Sequence, residues 1–307
     1  MENKILVIRG GAIGDFILTL PVLAALRQQF PQTRLEVLGY PHIAQLALAG
    51  GLADHVQSIE AGPLAGFFAR NGSLHPALQE YFAGFAIIIS YLYDPDEVFQ
   101  SNVARCSKAQ FIAGPHRPVE QAGVHATKVF LRPLERLAVF DADPVPRLRV
   151  SASPRLPVSP SSPLAVHPGS GSERKNWPEA QWIELLQQLT RTTDLRLLLI
   201  GGEAEQDRWP RLLKALPADR VTEAKNLPLR ELAQRLASCA AFLGHDSGIT
   251  HLAAAVGLPT LVLWGESADA IWRPQAEKVV IIKETSGLQE LTVSRVLEEF
   301  ARFRLAF

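Results

Sequence analysis

The chain has 307 residues, 47% of them apolar, and its 31 Lys and Arg are matched by 31 Asp and Glu. That length predicts two domains of ~150 residues, and 13 charges of each sign in residues 1–150 leave both halves neutral, which excludes nucleic acid as an electrostatic partner. The two isolated cysteines, Cys106 and Cys239, lack metal-ligand spacing and fit a reducing cytoplasm, and no apolar run reaches the roughly 20 residues of a membrane span.

Lys4 to Ile8 reads as a buried strand, cut by Arg9 and Asp15 before it could serve as a signal peptide. The turn Arg9-Gly10-Gly11-Ala12-Ile13-Gly14-Asp15 leads into a helix that runs to about Gln29, with a break predicted at Pro21. A strand followed by glycines suggests a dinucleotide site. Here Arg9 stands where the first glycine should be, and no GK[ST] follows, so neither a Rossmann fingerprint nor a P-loop is present. Next come a strand over Arg34 to Leu38, a helix from about His42 to Ala49 and a short strand from Val56 to Ile59. Residues 61–77 read as a long loop exposing Phe67, Phe68 and Arg70. Strands follow at Phe85 to Tyr91 and Gln110 to Ala113, then a helix over Lys128 to Phe140 that Pro133 interrupts.

Residues 151–163 hold four prolines and five serines and read as an interdomain linker. The second half starts with a strand at Leu164 to His167, the turn 168–177 and a helix opening at Pro178. A strand at Leu195 to Ile200, the turn Gly201 to Glu205 and a helix come next, then a helix from Leu229 to Ser238. The apolar run Ala240 to Leu243 is a buried strand, Ile249 to Val256 a short helix closed by Gly257, and Thr260 to Trp264 and Val279 to Ile282 are the last strands. A final helix from about Leu288 to Phe303 ends the chain; packing back on the body, including the N-terminal half, and contact of Phe300 to Arg304 with a membrane surface are both compatible with it. Strand and helix alternate twice. This predicts an α/β protein of two doubly wound domains, 1–150 and 164–307, facing one another across a cleft.

The most informative stretch is 244–265, GHDSGITHLAAAVGLPTLVLWG. A helix opening at Ser247-Gly248 offers unpaired N–H groups and the positive end of its dipole to a phosphate. Asp246 would repel that phosphate and should face sugar hydroxyls. A plain N-cap at Asp246 or Ser247 and a satisfied core histidine at His251 are the structural alternatives. Ser170, Ser172 and Lys175 present hydroxyls and a mobile cation suited to a pyrophosphate. Glu205 suits ribose hydroxyls or simply complements a helix dipole. Asp15, with an ordinary pKa of about 3.9, cannot ionise an alcohol beforehand but can take its proton as a bond forms. Its alternative is a first-turn carboxylate that accepts from backbone N–H groups.

These segments resemble the ADP-heptose:lipopolysaccharide heptosyltransferases, the family 9 glycosyltransferases. The likeness rests on ILVIRGGAIGDFILTLPVLAALR at 5–27, VHPGSGSERKNWPEAQW at 166–182, LIGGEAEQD at 199–207 and FLGHDSGITHLAAAVGLPTLVLWG at 242–265. It implies GT-B architecture with two Rossmann-like domains, and inverting, metal-independent transfer from an ADP-sugar to a lipopolysaccharide-type or other glycan acceptor without a cofactor. Residue by residue it makes Asp15 the catalytic base and Lys175 the contact to donor phosphate. It places a phosphate-binding hydroxyl at Ser170, a nucleoside-binding acid at Glu205 and adenine packing at Leu227. Asp246 becomes the sugar-contacting carboxylate, Ser247 and Gly248 the diphosphate donors, and His251 a support for that loop. The implied setting is the cytoplasm, with a lipid-linked acceptor and peripheral contact at the inner membrane. Two other classes fit the same pattern: a noncatalytic nucleotide-sugar or glycan-binding protein, against which Asp15 counts, and a sugar-nucleotide epimerase, against which the missing cofactor fingerprint counts.

Overall fold

The computed structural model describes residues 4–150 and 162–306; most of the expected linker lies outside them. The chain divides into two compact units, Met1–Arg149 and Val150–Phe307.

In the first unit β1 (Lys4–Arg9) leads to two short helices, α1 (Ile13–Ile17) and α2 (Leu20–Gln29). The predicted break is there: Pro21 sits in the first turn of α2, where its missing N–H costs nothing, and the Thr19 hydroxyl donates to Asp15 O at 2.8 Å across the break. β2 (Arg34–Gly39), α3 (Pro41–Ala49), β3 (His55–Ser58), α4 (Pro76–Ala83), β4 (Ile87–Ser90), α5 (Val98–Ala104), β5 (Gln110–Ala113) and α6 (Ala126–Leu131) complete it. The expected helix over Lys128 to Phe140 is α6 followed by a 3-10 run, Arg132–Leu137, that has Pro133 in its first turn and ends where Ala138 adopts φ +58°. All five strands are parallel in the order β3-β2-β1-β4-β5. Ile8 of β1 pairs with Ser90 of β4, and the strand order reverses between these two parallel strands, whose carboxyl ends stand side by side.

The segment 61–77 is not the open loop its composition suggests. Gly62–Phe68 forms 3-10 turns, and Phe67 is fully buried, with its ring 4.8 Å from that of Phe82. Gly66 is required by a backbone crossing, since a Cβ there would lie 2.0 Å from Ser73 O. Buried Asn102 of α5 holds the turn: its Nδ2 donates to Phe67 O at 3.0 Å and Ala69 O at 2.8 Å, and its Oδ1 accepts from Arg105 at 2.9 Å. Asn102→Ala strands these carbonyls and is expected to destabilise the protein by about 1–3 kcal/mol. Chemical denaturation should show a lower midpoint with an unchanged slope.

The second unit runs β6 (Leu164–His167), α7 (Glu179–Thr192), β7 (Leu197–Gly201), α8 (Trp209–Lys214), β8 (Val221–Lys225), α9 (Leu229–Leu236), β9 (Ala241–His245), α10 (Gly248–Ala255), β10 (Thr260–Trp264), α11 (Asp269–Trp272), β11 (Val279–Lys283) and α12 (Val293–Ala306). Its parallel sheet has the order β11-β10-β9-β6-β7-β8, reversing between β6 and β9. β6 and β7 are buried along their whole length, which is what continuous Leu-Ala-Val and Leu-Leu-Leu-Ile runs require when helices cover both faces. The last helix buries Val296, Phe300 and Phe303 in the core of this same unit, against the cluster that holds Trp177 and Trp182. Phe300 and Phe303 are each only 3% exposed and are not surface anchors. Among the described residues no helix is long and apolar enough to cross a membrane.

Candidate functional site

In open α/β sheets ligands bind outside the carboxyl ends of the strands where strand order reverses. In the second unit that point lies between β6 and β9, and the predicted residues gather there. Ser247 is the N-cap of α10: its Oγ accepts from Thr250 N at 3.3 Å and lies 3.4 Å from Nδ1 of His167, the last residue of β6. Thr250 in turn donates to His245 O. The hydroxyl of Ser247 is thus a true cap, and the N–H groups of the first turn, Gly248 among them, open at the sheet's reversal. His251 is 5% exposed, in the wall of the helix.

Lys175 ends a 3-10 turn, Glu173–Lys175, and its Nζ lies 2.5 Å from Asp246 Oδ2. Ser267 Oγ donates to the same oxygen at 2.7 Å, and the loop carrying Ser267 is fixed by Trp264 Nε1 on Ser267 O at 2.7 Å. Asp246 is therefore engaged by a cation and a hydroxyl, where the sequence suggested a carboxylate standing open to sugar. Ser170 is also turned inward: its Oγ lies 2.9 Å from both Ser172 O and Asn176 Oδ1, bracing the 168–177 turn. Its hydroxyl has no spare hydrogen for a phosphate while that brace holds.

Glu205 is 3% exposed. It accepts from Gly202 N at 2.6 Å and lies 3.8 Å from His167 Nε2. Burial pushes its carboxyl up, but the neighbouring His167 imidazole, the Gly202 N–H and Arg208 outweigh burial and hold it below the ordinary range. Gly169 passes directly over it, and a Cβ at 169 would lie 1.7 Å from Glu205 Oε1, so only glycine fits. This geometry makes Glu205 an organiser of the turn. Leu227 is half-buried on the loop after β8, beside Asn226, whose N–H donates to Gly201 O at 2.9 Å and whose φ is +53°. That places Leu227 next to the Glu205 turn.

In the first unit the reversal lies between β1 and β4. A cavity of about 450 Å³ opens there, lined by Arg9, Asp15, Tyr40, Phe68, Tyr93 and His116 among others. Asp15 fills its helical role, since Oδ2 accepts from Ala12 N at 3.2 Å, and it also faces the cavity. Arg9, 3% exposed, lies 3.6 Å from Asp15 Oδ1, donates to His116 O at 2.9 Å and stacks 4.5 Å over the Phe130 ring. A buried guanidinium needs such partners. The base candidate, the helix start and the His116 loop are thus tied to one cation.

Residues 141–299 match the profile of glycosyltransferase family 9 (heptosyltransferase). The chain belongs to glycosyltransferase family 9. Its sequence is 28% identical over 145 residues to lipopolysaccharide heptosyltransferase 2 of Salmonella typhimurium, a match covering 41% of each chain. The match thus spans less than half of that relative. The fold is that of Escherichia coli ADP-heptose lipopolysaccharide heptosyltransferase II, with a TM-score of 0.79, 20% identity and 99% of both chains covered. It is equally that of a family 9 glycosyltransferase from Veillonella parvula, with a TM-score of 0.82 and 16% identity over 99% of this chain and 98% of that one. The two Rossmann-like units are those of the GT-B class.

Sequence reasoning about this family 9 chain missed the histidine that carries the site. His245 is fully buried, and its Nε2 accepts from Trp177 N at 2.8 Å and Trp182 Nε1 at 3.2 Å, pinning the 168–177 turn to the end of β9. An acceptor nitrogen cannot carry the proton, so the ring is neutral, and burial drives its pKa down to about 3. The unfolded chain takes up this proton near pH 6.5. The stability His245 contributes is complete above that pH and is lost as pH falls toward 3, at up to about 1.4 kcal/mol per pH unit. Urea titrations of wild type and His245→Asn from pH 7 to pH 4 are expected to show the shallower acid slope in the variant.

Proposed function

We propose that this family 9 chain transfers heptose from ADP-heptose to a lipopolysaccharide-type glycan acceptor, with inversion and without a metal. The observation that carries the reading is the cradle of the second unit, where Lys175 and the capped start of α10 meet at the strand reversal. A diphosphate drawn to the first-turn N–H groups takes Lys175 Nζ from Asp246 and releases that carboxylate toward the sugar hydroxyls. Gly248 lets the phosphate approach the backbone. Ser170 and Glu205 hold the turns on either side, and Leu227 packs near the base. His251 supports the helix.

In the first unit Asp15 takes the proton of the acceptor hydroxyl as its oxygen bonds to the anomeric carbon. The bond from that carbon to the diphosphate breaks with both electrons leaving on ADP, whose charge is met by Lys175 and the helix terminus. Attack on the face opposite the leaving group inverts the centre. The names of the relatives support heptose, ADP and lipopolysaccharide, and an acceptor held at the cytoplasmic face of a membrane belongs to the same proposal.

A thermal-shift panel tests the donor. ADP and ADP-heptose are expected to stabilise the protein above UDP and GDP analogues, by about 2.7 kcal/mol at a hundred times Kd. Transfer to lipopolysaccharide that persists in EDTA checks the metal-independent part. Preference for UDP over ADP would sink the donor.

A further inference from the structure

Asp246 is held from two sides. It follows the last residue of β9, and the sheet order β10-β9-β6 sets β10 on one side of it and β6 on the other. From the turn after β6 comes Lys175, a long side chain that is 42% exposed and whose Nζ lies 2.5 Å from Oδ2. From the loop after β10 comes Ser267, whose Oγ donates to the same oxygen at 2.7 Å. One donor is mobile and the other is fixed. Ser267 is tied through its own carbonyl to the indole N–H of Trp264 at 2.7 Å, and Trp264 is fully buried in a cluster with Ala254, Val262 and Val279.

The two donors serve different states of the carboxylate. Asp246 is only 7% exposed, and a buried carboxylate that loses its last donor is strongly disfavoured. With Lys175 as its sole partner, Asp246 would resist giving the ammonium up, because little water reaches it. Ser267 removes that obstacle. Its hydroxyl has a single hydrogen, spent on Oδ2, so the carboxylate keeps a hydrogen bond when the lysine swings away. The loop has no need of this bond for its own sake, since Trp264 already fixes it.

We infer that Ser267 is a positioning residue for donor capture: it holds Asp246 while Lys175 moves to the diphosphate, and so sets how readily a nucleotide takes the lysine. It acts through Asp246 and touches neither phosphate nor sugar. This rests on the reading that the diphosphate draws Lys175 from Asp246. A diphosphate without a sugar depends on Ser267 most, because an attached sugar brings hydroxyls that donate to Asp246 themselves.

Titration calorimetry with ADP and with ADP-heptose tests the role. Ser267→Ala is expected to weaken ADP about tenfold, the scale of one hydrogen bond to a charged group, and ADP-heptose by a smaller factor, so that the preference for ADP-heptose over ADP rises. Ser267→Thr, which keeps the hydroxyl, should bind both as the wild type does. In an Asp246→Asn background no buried charge awaits a donor, and Ser267→Ala should change ADP affinity by about twofold or less. A serine that only shaped its loop would cost the same in both backgrounds. Unchanged ADP affinity in Ser267→Ala, an equal loss for ADP and ADP-heptose, or an undiminished loss in the Asp246→Asn background overturns the inference. Lys175→Met separates it from the donor reading. If that variant weakens ADP while Ser267→Ala does not, the lysine meets the diphosphate and Ser267 has no part in it; if Lys175→Met leaves ADP affinity intact, the diphosphate does not take the lysine and both readings fall.

Discussion

Asp15→Asn is expected to lower the transfer rate by roughly 10²- to 10⁴-fold, the range for losing a positioned general base, while ADP stabilises the variant as it does the wild type. The replacement keeps the local structure. An asparagine Oδ1 still accepts from Ala12 N, the bond that Asp15 Oδ2 makes at 3.2 Å, and the Thr19 hydroxyl still donates to the backbone oxygen of residue 15. Arg9 loses a charge 3.6 Å away but keeps its bond to His116 O and its stacking on Phe130. What disappears is the capacity to take a proton. The catalytic loss should therefore fall on kcat, and the melting temperature should also drop moderately, because buried Arg9 keeps its hydrogen bond to His116 O but loses its charged partner. A variant with wild-type kcat would falsify the role of base.

Much of the fold could be read from the chain because its strands are buried on both faces. Uninterrupted runs such as Leu-Val-Ile in β1, Ile-Ile-Ile in β4 and Leu-Val-Leu-Trp in β10 admit no other placement in a parallel sheet. The elements that escaped notice lack that signal for identifiable reasons. β8, Val-Thr-Glu-Ala-Lys, is an edge strand bonded only to β7, so Thr222 and Glu223 face water and its pattern looks polar. α5 starts from Glu97 at φ +54° and is capped at a distance by Asp94, whose carboxylate accepts from Phe99 N at 3.1 Å and Gln100 N at 3.0 Å. A cap several residues upstream does not match the usual spacing. Phe67 reads as exposed because its neighbours are glycine, alanine and proline, yet those small residues are what let the backbone fold over it.

The site was legible as a set of residue types and illegible as a set of pairs. Asp246, Ser247, Gly248, Lys175 and Glu205 stand out because each occupies the turn after an apolar run. That Asp246 would meet Lys175 and Ser267 and that His245 would anchor two tryptophans depends on contacts across the sheet. Strand order sets those contacts, and the order β9-β6-β7 places the ends of β6 and β9 together although about 80 residues separate Ser247 from His167. Local periodicity carries no record of which strand lies beside which.

Lys175→Met carries the second large effect, and its sign separates catalysis from stability. The ammonium side chain is 42% exposed, so its pair with Asp246 is screened by water and is worth about 1 kcal/mol or less to the fold. Asp246 keeps Ser267 as a donor and does not become an orphaned charge. The melting temperature should therefore hardly move. Transfer is another matter, because the leaving diphosphate gains its full charge only as the sugar bond breaks, and a cation placed for that charge is worth most at that moment. A loss of roughly 10² to 10³ in kcat is expected, the scale found when one preorganised donor to a developing anion is removed, with a smaller rise in donor KM. Adding Asp246→Asn to Lys175→Met tests whether the pair acts as a unit: if Asp246 only stores the lysine between turnovers, the second change costs little more, and if it grips the sugar once released, the two losses multiply. Single-turnover rates with ADP-heptose resolve the two cases, and a Lys175→Met enzyme with an unaltered kcat would leave the helix terminus of α10 as the sole support of the leaving group.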